Sequence, residues 1–141
     1  MPAKHDRFDG AIADEHLLYE FEQTLATVAK IVGRKWNPVI VYVLLTQGPL
    51  GYATLQERIE GLSSKVLSES LLNLEENGLV DRAIVSEKPF RVEYSLTERG
   101  HSLQGVTGSM LAWGLEWLDV PVGEEAVEEY TEPPFALELA K

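Results

Sequence analysis

The chain has 141 residues, a formal net charge of -11 and no cysteine. That length fits one domain with appended segments and is short for a two-domain enzyme. The missing thiols exclude disulfides, cysteine nucleophiles and cysteine-ligated zinc. No apolar run reaches membrane-spanning length and the segment MPAKHDRFDG lacks a signal-peptide core, which points to a soluble, cytoplasmic protein without membrane association.

The charge is unevenly placed. Residues 1–29 hold two basic and six acidic residues, residues 30–118 nine and ten, and residues 119–141 one and seven. The body of the chain is therefore nearly neutral, so the overall acidity does not rule out a nucleic-acid partner. An acidic surface of this kind can also reflect a high-salt cytoplasm, although most of the acid here is glutamate.

Residues 1–13 show no sustained period and read as a flexible arm. From Asp14 to Val32, Leu18, Phe21, Leu25, Val28 and Val32 alternate steps of three and four, which keeps one apolar stripe along a helix. The partner of that stripe is either the domain's own core or the same helix of a second subunit. A short basic turn with Trp36, a core anchor, leads to Asn37 and Pro38, a cap followed by a first-turn proline. The β-branched run VIVYVLLTQG that follows suits a buried helix or a buried strand, and the helix is preferred.

Gly48, Pro49 and Gly51 break the chain before a short helix at about Ala53 to Glu60, in which Leu55 and Ile59 are four apart and which ends at Gly61. Next comes LSSKVLSESLLNLEENGLVDR, Leu62 to Arg82. On a helix, Leu67, Leu71 and Leu74 share one side, and Lys65, Ser68, Glu69, Leu72 and Glu76 the other. Ser63 or Ser64 can cap its start, and Asn77, Gly78 and Leu79 have the spacing of a Schellman stop. A strand-like run from Val80 to Ser86, a turn, and alternating Val92, Tyr94 and Leu96 then predict a two-stranded hairpin. Helix, tight turn, helix and hairpin make a winged helix-turn-helix. In such motifs the second helix offers its N-terminal residues to base edges, which nominates Ser64, Lys65, Ser68 and Glu69, with Asn73 further along the helix. Arg82, Lys88 and Arg91 stand where a wing can reach flanking phosphates, or are ordinary hairpin-surface charge.

Thr97 can cap a last long helix whose Leu103, Val106, Met110, Trp113 and Trp117 again step by three and four, a second dimer-type stripe. Residues 119–141 turn rich in glutamate and proline and read as an acidic tail. The expected class is mainly α with a small β-hairpin (α+β): a winged-helix domain over residues 14–118, flanked by N- and C-terminal dimerisation helices. No phosphate-cradling loop, serine elbow or HExxH spacing occurs, and His5, His16 and His101 are scattered. Neither catalytic residues nor a metal or cofactor is expected.

In order and separation, IVGRKW (Ile31 to Trp36), LSSKVLSESLLNLEENGLVDR and RVEYSLTERG (Arg91 to Gly100) resemble the HxlR-type winged-helix transcriptional regulators. The resemblance implies a homodimer, paired through its terminal helices, on an inverted-repeat operator in double-stranded DNA. It also implies phosphate contact by Lys88 and Arg91 of the wing. Helices of that family often carry arginine or lysine where this chain has Ser70 and Leu72, so two contacts are expected to be missing. The sensing cysteine of many members falls at Gln23 here, so the resemblance implies regulation by something other than thiol chemistry, such as an unidentified small-molecule effector. The alternative is an acidic winged-helix module that binds protein and not DNA.

Overall fold

The computed structural model describes residues 14–123. The N-terminal arm and the glutamate-rich part of the tail lie outside them. The chain divides into two compact units, Met1–Lys35 and Trp36–Lys141.

In the first unit, α1 (Glu15–Val32) starts at Asp14, whose carboxylate accepts from the backbone N–H groups of His16 and Leu17. None of its residues is buried, and Leu25 of the stripe is 68% exposed, with Phe21 and Val28 also exposed. Leu18 and Val32 are half-buried.

The second unit runs α2 (Asn37–Gln47), β1 (Leu50–Gly51), α3 (Tyr52–Arg58), α4 (Ser64–Glu76), β2 (Val80–Glu87), β3 (Phe90–Leu96), α5 (Glu98–His101) and α6 (Gln104–Trp117). The β-branched run is a helix: Asn37, Ile40, Val41 and Leu44 are its buried positions, at helical spacing. Trp36 occupies the cap position, and Asn37 lies one residue inside, 1% exposed, where its Nδ2 donates to Asn73 Oδ1 at 2.8 Å. The expected capping asparagine is thus a tether between α2 and α4. Trp36 is half-buried, with its ring edge against the Gly61 turn.

The short helix begins one residue before its expected start, at Tyr52, and ends at Arg58. Ile59 then closes the helix and Gly61, at φ +84°, takes the left-handed turn into α4. Leu55, Ile59 and Leu62 join Leu67, Leu71 and Leu74 of α4, Ile40, Val41 and Leu44 of α2, and Leu79, Val80 and Tyr94 in one core. Each leucine so buried contributes about 2 kcal/mol.

The sheet has three strands in the order β1-β3-β2, all antiparallel, where two were expected. The extra strand is two residues long, pairing Leu50 with Tyr94 and Gly51 with Glu93, too short to show any period in sequence. It fixes the start of α3 to the inner strand of the wing. Register also shifts between Ile84 and Ser86, leaving Val85 outside the regular ladder.

The expected long last helix is broken in two. Thr97 caps only the single-turn α5, accepting from the Gly100 N–H at 3.0 Å. Its own Oγ1 donates to Gly78 O at 2.6 Å and its N–H to Leu79 O at 3.0 Å, so this turn is fastened to the end of α4. Buried Gly100 permits the approach, because a Cβ there would be driven into the Leu79 carbonyl and would lie 3.0 Å from Leu96 Cδ2. After Ser102 and Leu103 the chain resumes as α6, which packs on α2 and buries Thr107 and Gly108.

Candidate nucleic-acid interface

Both ends of α4 are fixed by the residues its sequence supplies. Ser63 is the cap: its Oγ accepts from Val66 N at 3.2 Å. At the far end, Leu79 N–H bonds to Leu74 O at 2.9 Å and Gly78 N–H to Glu75 O at 3.0 Å, with Gly78 at φ +73°. These are the two bonds of a Schellman motif, and both leucines are buried. A helix capped twice and anchored along its inner side presents a constant outer face.

That face carries Ser64, Lys65, Ser68, Glu69, Leu72 and Glu76, all exposed. Two positions differ from these. Ser70 is 2% exposed within the core side, so an arginine or lysine there would not face outward and its absence removes no contact. Asn73 is half-buried; its carbonyl side chain accepts from Asn37, and its backbone oxygen accepts from Asn77 Nδ2 at 2.7 Å. Asn73, nominated with the DNA-facing residues, thus stands at the edge of that face, four residues after Glu69, with its Oδ1 engaged by Asn37 of α2.

The wing residues separate. Arg82 pairs across the ladder with Tyr94 at the foot of the wing, and cross-strand partners share a face, so it lies on the side of the sheet that carries the core tyrosine. Lys88 sits at the tip, beyond the last ladder pair Glu87–Phe90, roughly 20 Å of strand away. Arg91, paired with Ser86, is exposed close to the tip. Lys88 and Arg91 stay together as a pair, and Arg82 is apart from them. The distal wing is also apolar, with Ile84, Val85 and Phe90 each about half exposed or more.

One residue that sequence reasoning missed joins these parts. Tyr52 opens α3, and its hydroxyl lies 2.8 Å from Ser64 O, 2.9 Å from Ser64 Oγ and 2.9 Å from Ser68 Oγ. The same tyrosine lines, with Gly51, Thr54, Phe90, Arg91 and Glu93, a groove of about 320 Å³ between α3 and the wing. Wing arginine, first helix and second helix thus form one continuous surface. No spacing within the chain signals a contact made by two helices folding together.

Residues 31–121 match the model of the HxlR-like helix-turn-helix family. The chain belongs to the HxlR-like family. It is 38% identical over 89 residues to the HTH-type transcriptional regulator YvaP of Bacillus subtilis, covering 63% of this chain and 82% of YvaP. To the HTH-type transcriptional regulator YodB of the same organism it is 37% identical over 99 residues, covering 70% of this chain and 86% of YodB. Among solved structures, the reduced form of YodB superposes with a TM-score of 0.60 at 35% identity, over 68% of this chain and 93% of that one. The oxidised form of the redox regulator HypR superposes with a TM-score of 0.63 at 28% identity, over 69% and 99%. These regulator structures share the winged-helix fold described above.

No helix among the described residues is long and apolar enough to cross a membrane. Among the same residues, no group of three or more His, Asp or Glu side chains is placed to hold a metal ion.

Proposed function

We propose that this HxlR-like protein is a DNA-binding transcriptional regulator that acts as a homodimer on an inverted repeat. Each subunit sets the N-terminal half of α4 in a major groove while Lys88 and Arg91 meet phosphates beside it. The observation that carries the reading is the outer face of α4: polar, exposed, fixed by a cap at each end, and directly followed by a wing. Lys65 suits guanine or phosphate, and Glu69 can accept from cytosine N4. A dimer is supported by two uncovered stripes. Leu25 in α1 and Trp113 and Trp117 in α6 are between 58% and 68% exposed, which a soluble monomer rarely leaves uncovered. Dimer symmetry would then be mirrored in the operator.

The signal differs from that of the redox-named neighbours. The sequence has no cysteine, and Gln23 stands in α1 where the resemblance places the sensing thiol. Regulation then rests on a small ligand, a partner, ions or concentration.

The second reading is a protein-binding module. It draws on Leu72, 55% exposed in the middle of the α4 face, and on the net charge of -11. Replacing Lys65 and Arg91 together by alanine separates the two. A regulator loses operator affinity and its salt dependence becomes shallower, by roughly one unit of log-log slope per lost phosphate contact. Unchanged operator binding in the double variant would refute the docking described here.

A further inference from the structure

We propose that Tyr52 is a specificity-determining residue: its hydroxyl accepts hydrogen bonds donated by Ser64 and Ser68, so that α4 offers the DNA hydroxyl acceptors and selects bases presenting an amino donor. This deepens the DNA-binding reading and rests on it.

The argument is a proton count. A phenol has one proton and two acceptor lone pairs, and each serine hydroxyl has one proton. Tyr52 Oη has three oxygen neighbours within 2.9 Å: Ser64 O, Ser64 Oγ and Ser68 Oγ. Ser64 O is a backbone carbonyl and carries no proton, so the phenol proton must lie on that 2.8 Å line. Both remaining contacts must then be donated by the serines. Ser64 and Ser68 point their only protons inward at Tyr52, and what they turn outward is lone pairs.

That arrangement changes what the helix can read. A free serine donates or accepts and discriminates poorly. A serine whose proton is occupied accepts only, and Glu69 on the same face is likewise an acceptor. In the major groove, adenine N6 and cytosine N4 are donors, whereas guanine O6 and thymine O4 occupy the equivalent places as acceptors. At the strand positions beneath Ser64 and Ser68, the helix therefore accepts A or C and repels G or T. Lys65, between them in sequence, is the donor on that turn. The serines are equally unable to donate to phosphate oxygens, so donors on base edges are the DNA groups they can meet.

The test is binding-site selection from a randomised DNA pool with the full-length protein, Tyr52→Phe and Ser68→Ala, each confirmed folded by thermal unfolding. The wild type is expected to enrich A or C at the positions facing the serines. Tyr52→Phe keeps the ring and frees both serine protons, so G and T are admitted there and the preference falls about tenfold, with other positions unchanged. Ser68→Ala abolishes the preference at one of these positions. Three results overturn the proposal: an unchanged base profile in Tyr52→Phe, a uniform loss of affinity without any positional change, or a wild-type preference for G or T at the position that Ser68→Ala makes neutral. Should Tyr52→Phe fail to fold, that last comparison decides alone. If the wild type enriches no sequence at all, the DNA-binding reading itself fails and takes this inference with it, an outcome distinct from an enriched site that Tyr52→Phe leaves untouched.

Discussion

Replacing Gly100 by alanine tests how the wing is fastened to α4. Inside α5 the change favours the helix by about 1 kcal/mol on propensity alone. Sterics oppose it, since the new methyl would overlap the Leu79 carbonyl and press on Leu96 Cδ2 at 3.0 Å. The carbonyl cannot yield cheaply, because it is held by Thr97 N–H at 3.0 Å while Thr97 Oγ1 holds Gly78 O at 2.6 Å. Overpacking against a fixed neighbour costs up to about 3 kcal/mol, and the strained hydrogen bond adds about 1 kcal/mol. The net expectation is a loss of about 3 kcal/mol, a fall in Tm on the order of 15 °C for a domain of this size. Urea unfolding followed by circular dichroism measures it, with Gly105→Ala as the control. A Cβ at Gly105 meets nothing within 4 Å, and the position lies off the Val106, Met110 and Trp113 stripe, so this variant should gain about 0.5–1 kcal/mol. A Gly100→Ala protein as stable as its parent would refute the packing argument.

Two further outcomes follow from the same structure. Asn37→Ala removes a buried donor, 1% exposed, and leaves Asn73 Oδ1 without it, so stability should fall by about 1–3 kcal/mol, read as a lower urea midpoint with unchanged slope. Trp113→Ser with Trp117→Ser touches side chains 58% and 68% exposed in one chain, so the fold should survive while sedimentation shifts from dimer toward monomer; an unaltered dimer would remove α6 from the interface.

Much of this architecture was legible in the sequence because it rests on local chemistry. The cap, the stop at Asn77-Gly78-Leu79 and the leucine spacing of α4 each follow from contacts within one turn or two, and the structure agrees with the sequence, taking Ser63 of the two serines offered as cap. The departures arise where distant parts of the chain meet. Asn37 has the chemistry of a cap, yet a buried amide partner 36 positions away recruits its side chain. Thr97 begins a helix as expected, but that helix lasts one turn, in which Gly100 sits on the Leu79 carbonyl, a contact with a distant residue. The strand Leu50–Gly51 carries no pattern because its identity lies in Tyr94 and Glu93. At the interface, helical periodicity alone was enough to set Lys65, Ser68 and Glu69 outward and to turn Ser70 inward, while Asn73, four residues after Glu69, is engaged by Asn37, a partner 36 positions away that no period reveals. Tyr52 could not be found that way, since its role is defined by two serines on another helix.

The central claim is most directly tested by fluorescence anisotropy of the purified protein on labelled DNA from its own upstream region, against a scrambled duplex, across a salt series. Specific binding at two subunits per site is predicted, with a shallow salt slope set by the few cations Lys65, Lys88 and Arg91 on the docking face. Equal affinity for both duplexes at every salt concentration would contradict the account and leave the protein-binding module in its place.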